Sequence, residues 1–146
     1  QWTAHREPQL DEQRRCFSTL FPQRPQRGEA AAARYLQKLG YVIVVRSHRD
    51  NIGEIDLVAV DGRTVVFIEV KTRTSHDAGH PADAVDEAKQ RRLTRLALSY
   101  MKRHDLLECS ARFDVVAVTW PANSRRPTIE HFQNAFPAVG FDGMFS

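Results

Sequence analysis

The sequence predicts an α/β protein of three layers, with a central sheet flanked by helices. Three observations carry that prediction. Along the chain, segments of helical and strand period come in the order helix, three strands, helix, two strands. From Gly53 to Arg73, two β-branched apolar runs flank Asp61-Gly62, a pair that accepts the positive φ angles of a tight hairpin turn. One face of that hairpin is wholly apolar and the other is apolar towards the turn, and a sheet apolar on both sides must be covered on both sides.

A chain of 146 residues is long enough for one domain with a real core. Its hydrophobic share of 42% and charged share of 27% are those of a globular protein, and no apolar run reaches the length of a membrane span or signal peptide. A soluble, cytoplasmic protein with no membrane partner is expected. Cys16 and Cys109 stand alone, without zinc spacing, which argues against a disulfide framework or a zinc site. The net charge of +3 permits a nucleic-acid partner without requiring one. The chain opens on Gln1 and not Met, so a fragment or processed form is expected.

Residues 1–26 are rich in Gln, Arg and Pro and hold no sustained period, as in a poorly ordered extension; a short helix over 10–20 could dock through Leu10, Phe17, Leu20 and Phe21. Residues 28–39 read as a helix whose inner face is Ala32, Ala33, Leu36 and Leu39, with Gly40 as its left-handed end. Glu29 lies one turn upstream on that face. A first-turn Glu commonly answers the helix dipole, but this one is on the buried side. Residues 41–46 form a strand. Residues 47–52 follow as a basic turn with Arg46, His48 and Arg49, suited to phosphate contacts or to a simple surface loop.

Beyond the hairpin, residues 74–81 form a polar loop in which His76 and His80 are candidate metal ligands or phosphate contacts. Asp83 reads as the N-cap of a helix running to about His104, with Asp86 and Glu87 in its first turn and Val85, Leu93, Leu96, Ala97, Tyr100 and Met101 as its core stripe. Lys89, Arg91, Arg92 and Arg95 help make it the most basic helix. Lys89 projects from the seam one turn before Leu93, within reach of the hairpin's carboxylates. Residues 112–120 read as a buried strand and 128–132 as an edge strand, with Asn134-Ala135-Phe136 capping the core.

Alternation puts Glu54, Asp56, Val58 and Val60 on one face of the first hairpin strand, and Val65, Phe67, Glu69 and Lys71 on the same face of the second. A two-residue loop at Asp61-Gly62 sets Glu54 opposite Glu69; a four-residue loop sets Asp56 there. In either register Asp56, Glu69 and Lys71 share a face, while Ile55, Leu57, Ala59, Val66, Ile68 and Val70 make the other. Two carboxylates about 5 Å apart repel by roughly 3 kcal/mol at a dielectric of about 20, so the cluster calls for a cation, either Lys71 or a divalent metal. A bare Glu-x-Lys is commonly a strand-end salt bridge. The same-face Asp56 and the doubly buried hairpin favour a site.

Asp56, Glu69 and Glu29 supply hard oxygen ligands, which suit Mg²⁺ or Mn²⁺. A lysine beside such a metal orients or helps deprotonate an attacking water, so phosphodiester cleavage is the fitting reaction. Asp56, then Glu69-Val70-Lys71 on the next strand, preceded by Glu29 on the first helix, resembles the PD-(D/E)xK restriction-endonuclease-like nucleases. Gly28-Glu29, Tyr35-Leu36, Gly40-Tyr41, Gly53-Glu54-Ile55-Asp56-Leu57, Phe67-Ile68-Glu69-Val70-Lys71-Thr72-Arg73, Lys89-Gln90-Arg91-Arg92-Leu93, Arg112-Phe113-Asp114-Val115-Val116 and Asn134-Ala135-Phe136 narrow the resemblance to the bacterial YraN-like family, over residues 27–136. That family is predicted to be endonucleases distantly similar to archaeal Holliday junction resolvases.

The resemblance implies a restriction-endonuclease-like three-layer core with a mixed central sheet, in a nuclease domain over 27–137 followed by a tail over 138–146. It makes Asp56, Glu69 and the carbonyl of Val70 ligands of Mg²⁺ or Mn²⁺, Lys71 the catalytic lysine, and Glu29 an aid to the metal or its water. Arg46, Arg49, Arg73, Lys89, Arg91 and Arg92 become nucleic-acid contacts, DNA (branched DNA in particular) the substrate, and a homodimer the expected assembly. The alternative is a non-catalytic nucleic-acid-binding module with the same fold. Ile55 stands where the family name has Pro, Ser47 where Asn is expected in the basic turn, and Ala78 where an aromatic is expected before Gly79; the last two are read as touching substrate loops only.

Overall fold

The structure, a computed structural model, describes residues 27–74 and 85–139. The expected extension over 1–26 with its docking helix, the loop residues His76, Ala78 and His80, Asp83, and the tail from residue 140 lie outside the described residues.

The elements are α1 (Arg27–Lys38), β1 (Val42–Arg49), β2 (Glu54–Asp61), β3 (Thr64–Arg73), α2 (Glu87–Arg103), β4 (Ser110–Thr119) and β5 (Thr128–Phe136). Five strands form one sheet in the order β1-β2-β3-β4-β5. Every neighbouring pair is antiparallel except β3 and β4. Parallel strands need a crossover connection, and α2 lies within it. This is the mixed α/β sheet of a restriction-endonuclease-like core, as the sequence predicts.

Both faces of the sheet are covered, because both are apolar. On one face α1 lays Ala31, Ala32, Ala33 and Leu36 against Leu57, Ala59, Val66, Ile68, Val116 and Val118. On the other, α2 packs Leu93, Leu96, Ala97, Tyr100 and Met101 on Val58, Val65, Phe67, Phe113 and Val115, with Phe136 joining from β5. The α2 stripe is the one read from its period. Leu39, expected on the inner face of α1, is 53% exposed, since the helix ends at Lys38 and the chain turns away at Gly40 (φ 97°). No helix among the described residues is long and apolar enough to cross a membrane.

Four boundaries differ from the sequence reading. Strand β1 runs on to Arg49 because His48 and Arg49 pair with Ile55 and Glu54, so Arg46, His48 and Arg49 belong to a strand and not a turn. The turn begins at Asp50, whose carboxylate accepts the Ile52 amide at 2.7 Å. Helix α2 is capped by Asp86 and not Asp83; the Asp86 carboxylate accepts the Lys89 amide at 2.8 Å. The hairpin turn is Gly62-Arg63, since Val60 pairs with Val65 and Asp61 with Thr64. Gly62, at φ 61°, takes the first central position of that turn, which demands a positive φ. Finally β5 continues to Phe136, carrying that ring into the core.

Candidate active site

The hairpin splits where its charged residues begin. Pairing of β2 with β3 ends at Leu57 and Ile68; one step on, the same register would set Asp56 across from Glu69. In place of a further rung, Asp56 Oδ2 accepts the Val70 amide at 2.8 Å. The alternation of β2 breaks at the same point. Ile55, read from sequence as sharing a face with Leu57, packs instead with Val58 in the α2-side core, while Leu57 and Ala59 remain on the α1 side. Across from Asp56, between the pairs Arg46↔Leu57 and His48↔Ile55, Ser47 takes a φ of 53°. A left-handed residue inside a strand is the local irregularity that accompanies the break.

The acids gather around this defect. Glu29, 6% exposed, comes from the first turn of α1, and the Ser47 hydroxyl donates to its Oε2 at 2.7 Å. Helix α1 lies close on β3 at this end: a Cβ on Gly28 would fall 2.1 Å from Thr72 Oγ1, so Gly28 is what permits the approach. Glu29, Glu54 and Asp56 each offer a carboxylate oxygen, and these three oxygens lie within 4.8 Å of one another. Glu54, which alternation places on the face of Asp56, was not among the site residues expected from sequence. Its signal was its spacing, two residues before Asp56. It also pairs with Arg49 at 3.2 Å.

Glu69 has other company. It is 8% exposed, and its Oε1 accepts a hydrogen bond from Lys89 Nζ while lying 3.8 Å from Lys71 Nζ. Lys89 thus reaches the carboxylates from α2, as its place on the seam suggests. The structure ties Val70 to the group through its amide.

The electrostatics follow from this crowding. Burial, then the charges of Glu69 and Glu29, push Asp56 up to about 8, against the opposing pull of the Val70 amide. Burial and the neighbouring Lys89 ammonium draw Lys71 down from the ordinary lysine value. Burial works the same way on Lys89, but Glu69 outweighs it and leaves Lys89 raised. The oxygens of Glu29, Glu54 and Asp56 are hard donors, of the kind that Mg²⁺ or Mn²⁺ takes.

The basic residues named from sequence spread over three elements. Arg73 ends β3 two residues beyond Lys71, and Arg46 is exposed in β1. On α2, Arg91 pairs with Glu87 at 2.8 Å, and the stem of Arg92 lies over Gly53.

Comparison with known proteins places the chain. Residues 28–118 match the profile of a family described as "Uncharacterised protein family UPF0102". A UPF0102 protein of Rhodopirellula baltica is 52% identical over 122 residues, covering 82% of this chain and 73% of that relative. UPF0102 proteins of Geobacter sulfurreducens and Chlorobium chlorochromatii are 47% and 48% identical; each alignment covers 75% of this chain, and 85% and 87% of the respective relative. With a profile matched over more than half of its length and relatives this similar, the chain belongs to the UPF0102 family, which is the YraN-like family.

Proposed function

We propose that this protein is a cytoplasmic, divalent-metal-dependent endonuclease that hydrolyses DNA phosphodiesters and selects branched structure over sequence. The observation that carries the reading is the convergence of Glu29, Glu54 and Asp56 beside Glu69 and Lys71 where the hairpin splits. Asp56, Glu69 and the carbonyl of Val70, aided by Glu29, would hold Mg²⁺ or Mn²⁺. The metal supplies a more acidic water and charge stabilisation at the phosphate when bound. Lys71 then orients the attacking water, and its lowered pKa enlarges the neutral fraction able to accept a proton. Glu29, fixed by Ser47, holds the acid cluster from the α1 side. Arg46, Arg49, Arg73, Arg91 and Arg92 contact phosphates, which positions the duplex without reading bases. A homodimer would offer two such sites to a symmetric junction.

The test is cleavage of linear, flapped and four-way-junction DNA with Mg²⁺, Mn²⁺ or EDTA, for the parent and for Asp56→Ala, Glu69→Ala and Lys71→Ala. Metal-dependent cuts that fall at least about 100-fold in each variant, with DNA binding largely retained, are expected. Salt-sensitive binding without cuts would make the protein a nucleic-acid-binding module of the same fold.

A further inference from the structure

Four carboxylates and two lysines share one end of the sheet, and they are unevenly distributed. Glu29, Glu54 and Asp56 face one another, whereas Glu69 is engaged by both ammonium groups. Lys89 makes the closer contact, and its backbone is fixed: its amide is held by the Asp86 cap, so the side chain leaves the first turn of α2 towards β3 from a rigid base. An ammonium on Glu69 Oε1 takes one of the carboxylate's lone pairs and, more importantly, sets a positive charge where a divalent cation would have to approach, so the two repel. The side chains of both partners are largely withdrawn from water, at 24% and 10% exposed, so salt screens the contact weakly.

We infer that Lys89 is the resident counter-ion of Glu69 and must be displaced for a divalent cation to enter, so that metal binding and release of Lys89 are one exchange. The inference rests on the metal site proposed above and deepens it. It sets the direction of a coupling. Whatever draws Lys89 from Glu69 raises metal affinity, and a phosphodiester near the site is a partner for the freed ammonium. Metal and a nucleic-acid phosphate then bind cooperatively, each strengthening the other by the same factor. Lys89 is a positioning residue in this scheme, acting through Glu69.

The experiment is calorimetric titration of Mn²⁺ into the DNA-free protein, for the parent, Lys89→Met, Lys89→Gln and, as a charge control, Arg95→Met on the exposed face of α2. Loss of a charge-assisted hydrogen bond that competes with the metal predicts Mn²⁺ binding at least about tenfold tighter in both Lys89 variants, with Arg95→Met unchanged. A second readout needs no variant at Lys89: the side-chain ammonium resonance of Lys89, sheltered in the metal-free protein, shifts or exchanges away as Mg²⁺ is added. Equal or weaker Mn²⁺ binding in the Lys89 variants, or an ammonium signal indifferent to Mg²⁺ at saturation, overturns the exchange while leaving the metal site standing. Absence of Mn²⁺ binding in every protein overturns the metal site, and the exchange with it.

Discussion

Asp56 sits where backbone and charge requirements meet. Its carboxylate caps the Val70 amide at the split of the hairpin while facing Glu29 and Glu69, and the result is a pKa of about 8 in place of 3.8. Between those values the folded protein holds a proton that the unfolded chain has released, so the contribution of Asp56 to stability declines as pH rises from about 4 to about 8 and is flat beyond. In EDTA, the melting temperature is therefore expected to fall from pH 5 to pH 8, and Asp56→Asn to flatten that fall, gaining over the parent at pH 8 and little at pH 5. Thermal denaturation across pH checks both. Ser47 carries the second residue-scale prediction. At φ 53° it occupies the region Asn tolerates best among residues with a side chain, which gives a conformational reason for the Asn expected there. Far from touching a substrate loop only, Ser47 also holds Glu29. Asn relieves the left-handed strain and its Nδ2 can take over the donation to Glu29, so Ser47→Asn is expected to raise stability by about 0.5–1 kcal/mol in urea denaturation.

At the scale of elements, α1 and α2 each deliver one charged side chain to the split hairpin from opposite faces of the sheet. Helix α1 brings Glu29 through a small-residue contact surface, Gly28 and Ala31 to Ala33, that lets it lie close. Helix α2 brings Lys89, and what fixes its first turn is the Asp86 cap. Asp86→Ala is expected to cost about 1 kcal/mol, and, by fraying the turn that aims Lys89, to shift Mn²⁺ affinity in the same direction as Lys89→Met but by less. Urea denaturation reads the first effect and calorimetry the second.

For the whole molecule, the charges gathered around β4 and β5 have a structural part. Asp114, fully buried, accepts from Arg112 Nε at 3.1 Å and from the Asn134 amide at 2.9 Å, and its other oxygen is 2.7 Å from His131 Nε2. Arg112 also donates to Tyr41 at 2.6 Å and to Asp61 at 3.0 Å, so one network ties β4 and β5 to the entry of β1 and the end of β2. The network spans the sheet lengthwise: Asp61 lies five residues along β2 from Asp56, on the order of 16 Å away, while Asp114 pairs with Ile68, one residue before Glu69. Asp114→Ala leaves Arg112 without its buried partner and is expected to cost about 3–5 kcal/mol, a large share of the roughly 5–15 kcal/mol that holds a domain together. Urea denaturation measures the loss.

The sequence by itself determined the order of the elements, the two-sided burial of the hairpin, the core stripe of α2, and the nearness of Asp56, Glu69 and Lys71, with Glu29 on the buried side of its helix. These follow from period and local chemistry, which depend on neighbours within a few positions. Lys89's reach was legible for the same reason, from its place one turn before Leu93. Only the tertiary structure decided that alternation breaks at Asp56, that Ile55 changes face, that Glu54 joins the acids and that Glu69 turns to Lys89. It also carried β1 beyond its apolar run and placed the cap at Asp86. Each of these depends on partners distant in sequence: Ser47 across the sheet from Asp56, α1 pressed against Thr72, α2 lying over β3. A strand pattern assumes an unbroken pleat, and a break in the pleat is fixed by contacts that no local period records.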